Sequence, residues 1–154
     1  MLFTWPGAPT MYYGDEVGVC GFTDPDSRRS YPWGHENLEL LEYHRYLSKL
    51  HRNSAALRRG SLIPLLMEQD LVCYGRVYGR EQALIFVYTG AEEKLFRLPY
   101  WKLADSIPQG IRRVMLTYEN GYNVGHVRYV LEDGMILVYV TKNSAGIYLG
   151  TAPS

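Results

Sequence analysis

The residues able to do chemistry cluster near the front of this 154-residue chain. Asp15 and Glu16 are adjacent acids, followed by Asp24-Pro25-Asp26-Ser27-Arg28-Arg29 and then Pro32-Trp33. Paired carboxylates are the usual equipment for acid–base work. Adjacent residues leaving a strand point in different directions, however, so Asp15 and Glu16 read poorly as a catalytic pair. Asp24 and Arg28 are spaced to close an ion pair around Pro25, because a carboxylate accepts where a guanidinium donates in a fixed fork. His35, His44, His51 and His126 have no metal-ligand spacing and no obvious Ser or Cys partner, and read as helix-face or surface residues. Cys20 and Cys73 are the only cysteines, also without metal spacing. They read as free thiols in a reducing compartment, because one pair is no disulfide framework. No metal and no cofactor is expected.

Those residues must be held by three successive parts. Leu2 to Tyr13 is apolar on both faces, interrupted at Pro6-Gly7 and Pro9, as a buried parallel strand would be. Gly14 to Gly34 is a long loop rich in Gly, Asp and Pro, a length usually kept for function. A helix follows, with Asn37 as N-cap and Glu39 in the first turn. Its apolar stripe is Leu40, Tyr43, Leu47 and Leu50. Such a helix needs a sheet or barrel to cover that stripe.

From Gly60 onward the apolar period falls to two. Strands are predicted at Ser61–Leu66, Leu71–Tyr78, Ala83–Tyr88, Lys94–Leu98, Arg113–Tyr118, His126–Leu131, Met135–Thr141 and Gly146–Leu149. Asn120-Gly121 and Asp133-Gly134 have the composition of tight hairpin turns, whose central residues need positive φ. Short strands broken by such turns indicate an antiparallel β-sandwich of about 90 residues. Ala83–Tyr88, nearly all apolar, should be a central strand. Trp33 reads as a packing residue.

Sixteen basic and sixteen acidic residues balance, which argues against nucleic-acid and charged-membrane binding, since both need a clustered basic excess. No apolar run approaches the roughly 18 residues of a membrane span, and no signal segment opens the chain, so a cytoplasmic location is expected. Fourteen tyrosines and three tryptophans suit core packing and sugar stacking alike, with core packing the commoner use in a β-rich chain.

The stretch Gly7-Ala-Pro-Thr-Met-Tyr-Tyr-Gly14, continuing through Asp15-Glu16 to Asp24-Pro-Asp-x-Arg28, resembles the last barrel strand and following loop of the α-amylase family of glycoside hydrolases. Within that family it is most similar to the neopullulanase, cyclomaltodextrinase and maltogenic amylase branch. Ala55-Ala56-Leu57-Arg58-Arg59-Gly60 resembles, with Ala for Pro, the Pro-Ala-Leu-x-x-Gly with which the family tends to leave its last helix. The resemblance implies a mostly β chain: residues 1–57 a remnant of a (β/α)8 barrel (strand eight, loop, helix eight), and residues 58–154 a C-terminal antiparallel sandwich. A whole barrel takes about 250 residues, so it cannot fit here.

The family's three catalytic carboxylates lie on earlier barrel strands. The resemblance therefore implies a C-terminal fragment that is non-catalytic alone and serves domain packing. It implies that Asp24 and Arg28 hydrogen-bond an α-glucan oligosaccharide in the intact enzyme. Tyr13, Gly14, Asp15 and Glu16 would anchor the loop. A stand-alone carbohydrate-binding module, with Tyr100 and Trp101 as a stacking platform, is the alternative. An orphan first strand would be disordered, docked on the sandwich, or paired with a second copy, and the helix stripe, short of cover, is another homo-oligomer surface.

Overall fold

Capping chemistry sets where the helices begin. The Asn37 side chain accepts from the Leu40 backbone N–H at 3.0 Å and starts α1, Leu38–Asn53. Ser54 then ends α1 and caps the short α2, Ala55–Arg59, accepting from Leu57 N at 3.3 Å. The computed structural model describes residues 1–103, 108 and 110–153.

Eight strands follow: β1 Ser61–Met67, β2 Leu71–Tyr78, β3 Glu81–Tyr88, β4 Lys94–Pro99, β5 Ile111–Tyr118, β6 Gly121–Tyr129, β7 Met135–Val140 and β8 Ser144–Thr151. They form a six-stranded antiparallel sheet, β1-β2-β3-β8-β5-β6, and a two-stranded sheet, β4-β7. As expected, β3 is central, paired along its length with β2 and β8.

Alternation along the strands sends side chains into two cores. Leu84, Phe86 and Tyr88 of β3 face the two-stranded sheet with Leu98, Ile136 and Val138. Ala83 and Ile85 face the other way, toward Leu47, Ala56, Leu57 and Phe3. The molecule is therefore three layers: helices, six strands, two strands. Tyr43 and Leu50 pack partly buried on the same helix-side core as Leu47. The sheet covers part of the stripe, burying Leu47 and leaving Leu40, Tyr43 and Leu50 half-buried.

Two further expectations are corrected. Leu2–Tyr13 is not a strand: Met1–Trp5 forms a turn in which Thr4 N and Trp5 N both donate to Met1 O, and no described strand pairs with the rest. A strand exists only where neighbours take its backbone groups, and this segment docks by side chains instead. Phe3 enters the helix-side core, the Thr4 hydroxyl meets the Tyr74 hydroxyl at 2.6 Å, and Trp5 sits edge-on to Tyr74. Second, Asn120-Gly121 is not the central pair of the β5–β6 hairpin: Gly121 already pairs with Tyr118, so the turn residues are Glu119 and Asn120. Asp133-Gly134 is the tight turn expected, at φ 51° and 70°, with Glu132 and Met135 exchanging backbone bonds across it, and it leads from β6 into β7 of the other sheet.

Candidate functional site

The loop after Tyr13 is tied down by its own backbone. Gly14 and Gly18, at φ 91° and 75°, flank a 3-10 turn over Asp15–Val17, a conformation that suits residues without Cβ. The Asp15 carboxylate accepts from Tyr12 N at 3.2 Å, and the Glu16 carboxylate from Gly14 N at 3.0 Å. Val17 is buried, and Gly18 lies against Leu40 of α1. Further along, the Tyr13 hydroxyl donates to Arg29 O at 2.9 Å, joining the two ends of the loop. Asp15 and Glu16 are thus spent on turn geometry.

Asp24 and Arg28 meet in a bidentate pair, Nη2 to Oδ2 and Nε to Oδ1, both at 2.8 Å. Both side chains stay exposed, so each keeps capacity for a further partner. A second pair, which the sequence reading did not single out, runs from Arg29 Nε to Asp26 Oδ1 at 2.6 Å. The Arg29 guanidinium holds the Asp26 carboxyl below its usual range, and Phe22 N also donates to that carboxylate. The structure brings Asp24 to Arg28 and Tyr13 to Arg29. Among the described residues no bond links Asp15 or Glu16 to the Asp24–Arg28 pair.

Around the pairs lies exposed aromatic surface: Phe22 is 89% exposed and Trp33 79%. Trp33 packs tilted on Tyr31, ring centroids 4.5 Å apart, while keeping most of its surface in solvent. Tyr100 is fully buried in the core, while its neighbour Trp101 is half exposed beneath the Lys102 ammonium. Tyr100 and Trp101 therefore cannot form a joint stacking platform. Cys20 is exposed and Cys73 buried, both free. Among the described residues no three His, Cys, Asp or Glu side chains gather as a metal site, and no helix is long and apolar enough to cross a membrane.

Sequence reasoning also missed two side chains that tie the loop-bearing layer to the sandwich. Arg76, fully buried on β2, donates from Nη1 to Thr4 O at 2.7 Å and from Nη2 to Gly60 O at 2.8 Å. Glu81 on β3 accepts from Ala55 N at 2.7 Å and Ala56 N at 3.2 Å, capping α2. The available signal was a charge placed on the buried face of an otherwise apolar strand.

No protein-family profile matches the chain. It is 40% identical over 72 residues to an amylopullulanase of Thermoanaerobacterium thermosulfurigenes, covering 47% of this chain and 4% of that protein. It is 33% identical over 100 residues to a cyclomaltodextrinase of Geobacillus thermopakistaniensis, covering 62% of this chain and 17% of that protein. Among solved structures, the debranching enzyme of Nostoc punctiforme superposes with a TM-score of 0.74 at 29% identity, over 97% of this chain and 29% of that one. An Anoxybacillus α-amylase superposes at 0.80 and 24% identity, over 99% and 31%. AmyP in complex with maltose does so at 0.77 and 16%, over 99% and 34%. The last two likenesses speak to fold alone. The chain spans between 4% and 34% of the length of these relatives and structures. In sequence and in fold it matches a C-terminal portion of α-amylase-family glycoside hydrolases of the neopullulanase, cyclomaltodextrinase and maltogenic amylase branch.

Proposed function

We propose that this chain is the C-terminal portion of an α-glucan-acting glycoside hydrolase, non-catalytic alone, whose work is to pack against and steady a catalytic barrel. One observation carries the reading. Residues 1–37 present Tyr12, Phe22 and Trp33 to solvent on a segment with no ladder partner among the described residues. A concentration of exposed aromatic surface marks an interface. In the intact enzyme Asp24 and Arg28 would contact an α-glucan oligosaccharide. A second copy covering the same surface, or the partly buried Leu40, Tyr43 and Leu50 of the α1 stripe, would make a homo-oligomer. Two free thiols suit a reducing, cytoplasmic setting.

Retaining glycoside hydrolysis asks for two carboxyl groups about 5 Å apart across the scissile bond. The loop acids are committed elsewhere, Asp15 and Glu16 to backbone N–H groups and Asp24 and Asp26 to arginines. Homogeneous protein incubated with maltoheptaose, β-cyclodextrin and pullulan should release no new reducing ends. Steady release of product would overturn the reading.

A further inference from the structure

Arg112 and Arg128 are direct partners across the β5–β6 ladder, both with exposed side chains. Directly opposed residues share a face, with Cβ atoms about 5 Å apart, and like charges so placed repel. Arg113 points to the other face, where its Nη1 donates to the Tyr129 hydroxyl. Farther along, β6 sets two residues, Gly125 and His126, against Val114 alone, a bulge of the kind that re-aims a side chain. His126 thereby lines a hollow of about 370 Å³ together with Arg112, Val114 and Leu149. Gly110 lines the same hollow, and a Cβ there would stand 3.4 Å from Arg128 Nε, which puts that guanidinium at the rim. A second hollow of about 350 Å³ shares Val114, His126 and Leu149 and is walled on its far side by Tyr46, Lys49 and Leu50 of α1. No Asp or Glu lines either hollow. Among the described residues the ion pairs are Asp24–Arg28, Asp26–Arg29, Glu42–Arg45 and Glu119–Lys142, so none neutralises this set.

We propose that this groove binds a phosphate group, free or as the ester of a small organic molecule. The proposal goes beyond the α-glucan reading and does not depend on it. Two arginines face to face destabilise a sheet, and a dianion held between them turns that repulsion into attraction. The paired forks select the anion. One guanidinium satisfies a carboxylate through two parallel bonds, whereas a phosphate has oxygens enough for forks from two sides. Lys49 adds a point charge from the α1 wall, and His126 adds a ring N–H. Buried Val114 and the neighbouring Leu149 make the floor apolar, which strengthens charge contacts above it. The walls are set before any ligand arrives, because the Tyr46 hydroxyl donates to Val114 O at 2.7 Å and fixes α1 against β5. The cations form a spot in a chain of balanced charge, a layout for a small anion and not for a polyanion. The hollow beside Tyr46 and Leu50 leaves room for the organic part of an ester.

The test titrates the ¹⁵N-labelled full chain with sodium phosphate and with glycerol 3-phosphate, in buffer free of other oxyanions and with sodium chloride holding the ionic strength constant. Saturable amide shifts are expected at Arg112, His126 and Arg128, with a Tm rise of about 2–4 °C near saturation. Arg112→Gln and Arg128→Gln should each weaken phosphate about tenfold. Each should also raise the Tm of the unliganded protein at low salt, since one member of a repelling pair is gone. A purely structural role for either arginine would lower that Tm instead. Lys49→Gln lies off the sheet, so it keeps the test decisive if a strand variant disturbs the fold, and it should weaken binding several-fold. Arg97→Gln, on β4, should leave binding unchanged. Tighter binding of the ester assigns the source to a small organic phosphate, and equal binding assigns it to free phosphate. An equal response to chloride, shifts confined to other regions, tighter binding of a hexaglutamate peptide, or no shifts at all would each overturn the site.

Discussion

Burial decides what single side chains can do in this molecule. Cys73 illustrates it: its thiol is enclosed between the sheets and pushed from 9.0 up to about 12 by desolvation. Cys20 sits exposed in the loop. Native protein treated with iodoacetamide at pH 8 should gain one label, on Cys20, and a second only in denaturant, as read by mass spectrometry. The same burial raises Tyr100 and Tyr148 above their ordinary 10.0. Each of these groups holds its proton longer folded than unfolded, so the unfolded state releases protons first as pH rises. Their contribution to stability is complete below pH 9 and drains as pH climbs from 9 toward about 12. Tm should fall across that window, and a flat Tm there would contradict it. Arg76 is the harder case. Sequence shows a charge within β2, but only the fold reveals that the guanidinium is fully enclosed and satisfied by the carbonyls of Thr4 and Gly60.

At the scale of elements, local pattern predicted a great deal. Asn37 was legible as a cap because capping is chemistry between residues three apart. Most strands were legible because alternation reports a sheet with a buried face; β6 was not, since it runs Gly121–Tyr129 instead of the expected His126–Leu131 and buries none of its residues. What alternation leaves open is partnership: β8, last in sequence, inserts between β3 and β5. The α2 cap is similarly non-local, with Ser54 inside the segment and Glu81 reaching in from β3. Glu81→Ala removes the acceptor for two backbone N–H groups at a helix N-terminus, and should cost about 1–2 kcal/mol in urea unfolding. Glu81→Gln, keeping one acceptor oxygen but no charge, should lose less. Equal stability of both variants and the parent would show the cap to be idle.

Across the whole molecule, two cores adjoin a loop that keeps large rings in solvent. Phe3 and Thr4 bind the first turn to the sheet, yet the loop beyond it exposes Phe22 and Trp33. Exposed rings of that size favour association. Sedimentation velocity over a hundred-fold concentration range should show reversible self-association, reduced in a Phe22→Ser/Trp33→Ser double variant whose Tm is unchanged. A strictly monomeric parent at high concentration would remove the basis for reading this face as an interface.

The sequence by itself determined the order of parts, a loop, a capped helix and eight alternating strands, and the resemblance of its first residues to an α-glucan hydrolase. These are properties of residues near one another along the chain. Only the tertiary structure decided that Leu2–Tyr13 is no strand, that Asp133-Gly134 joins different sheets, and that Tyr100 is core while Trp101 is surface. The reason is common to all three. A backbone pairs, and a ring is buried, according to which distant segments arrive beside it, and periodicity carries no record of that arrival.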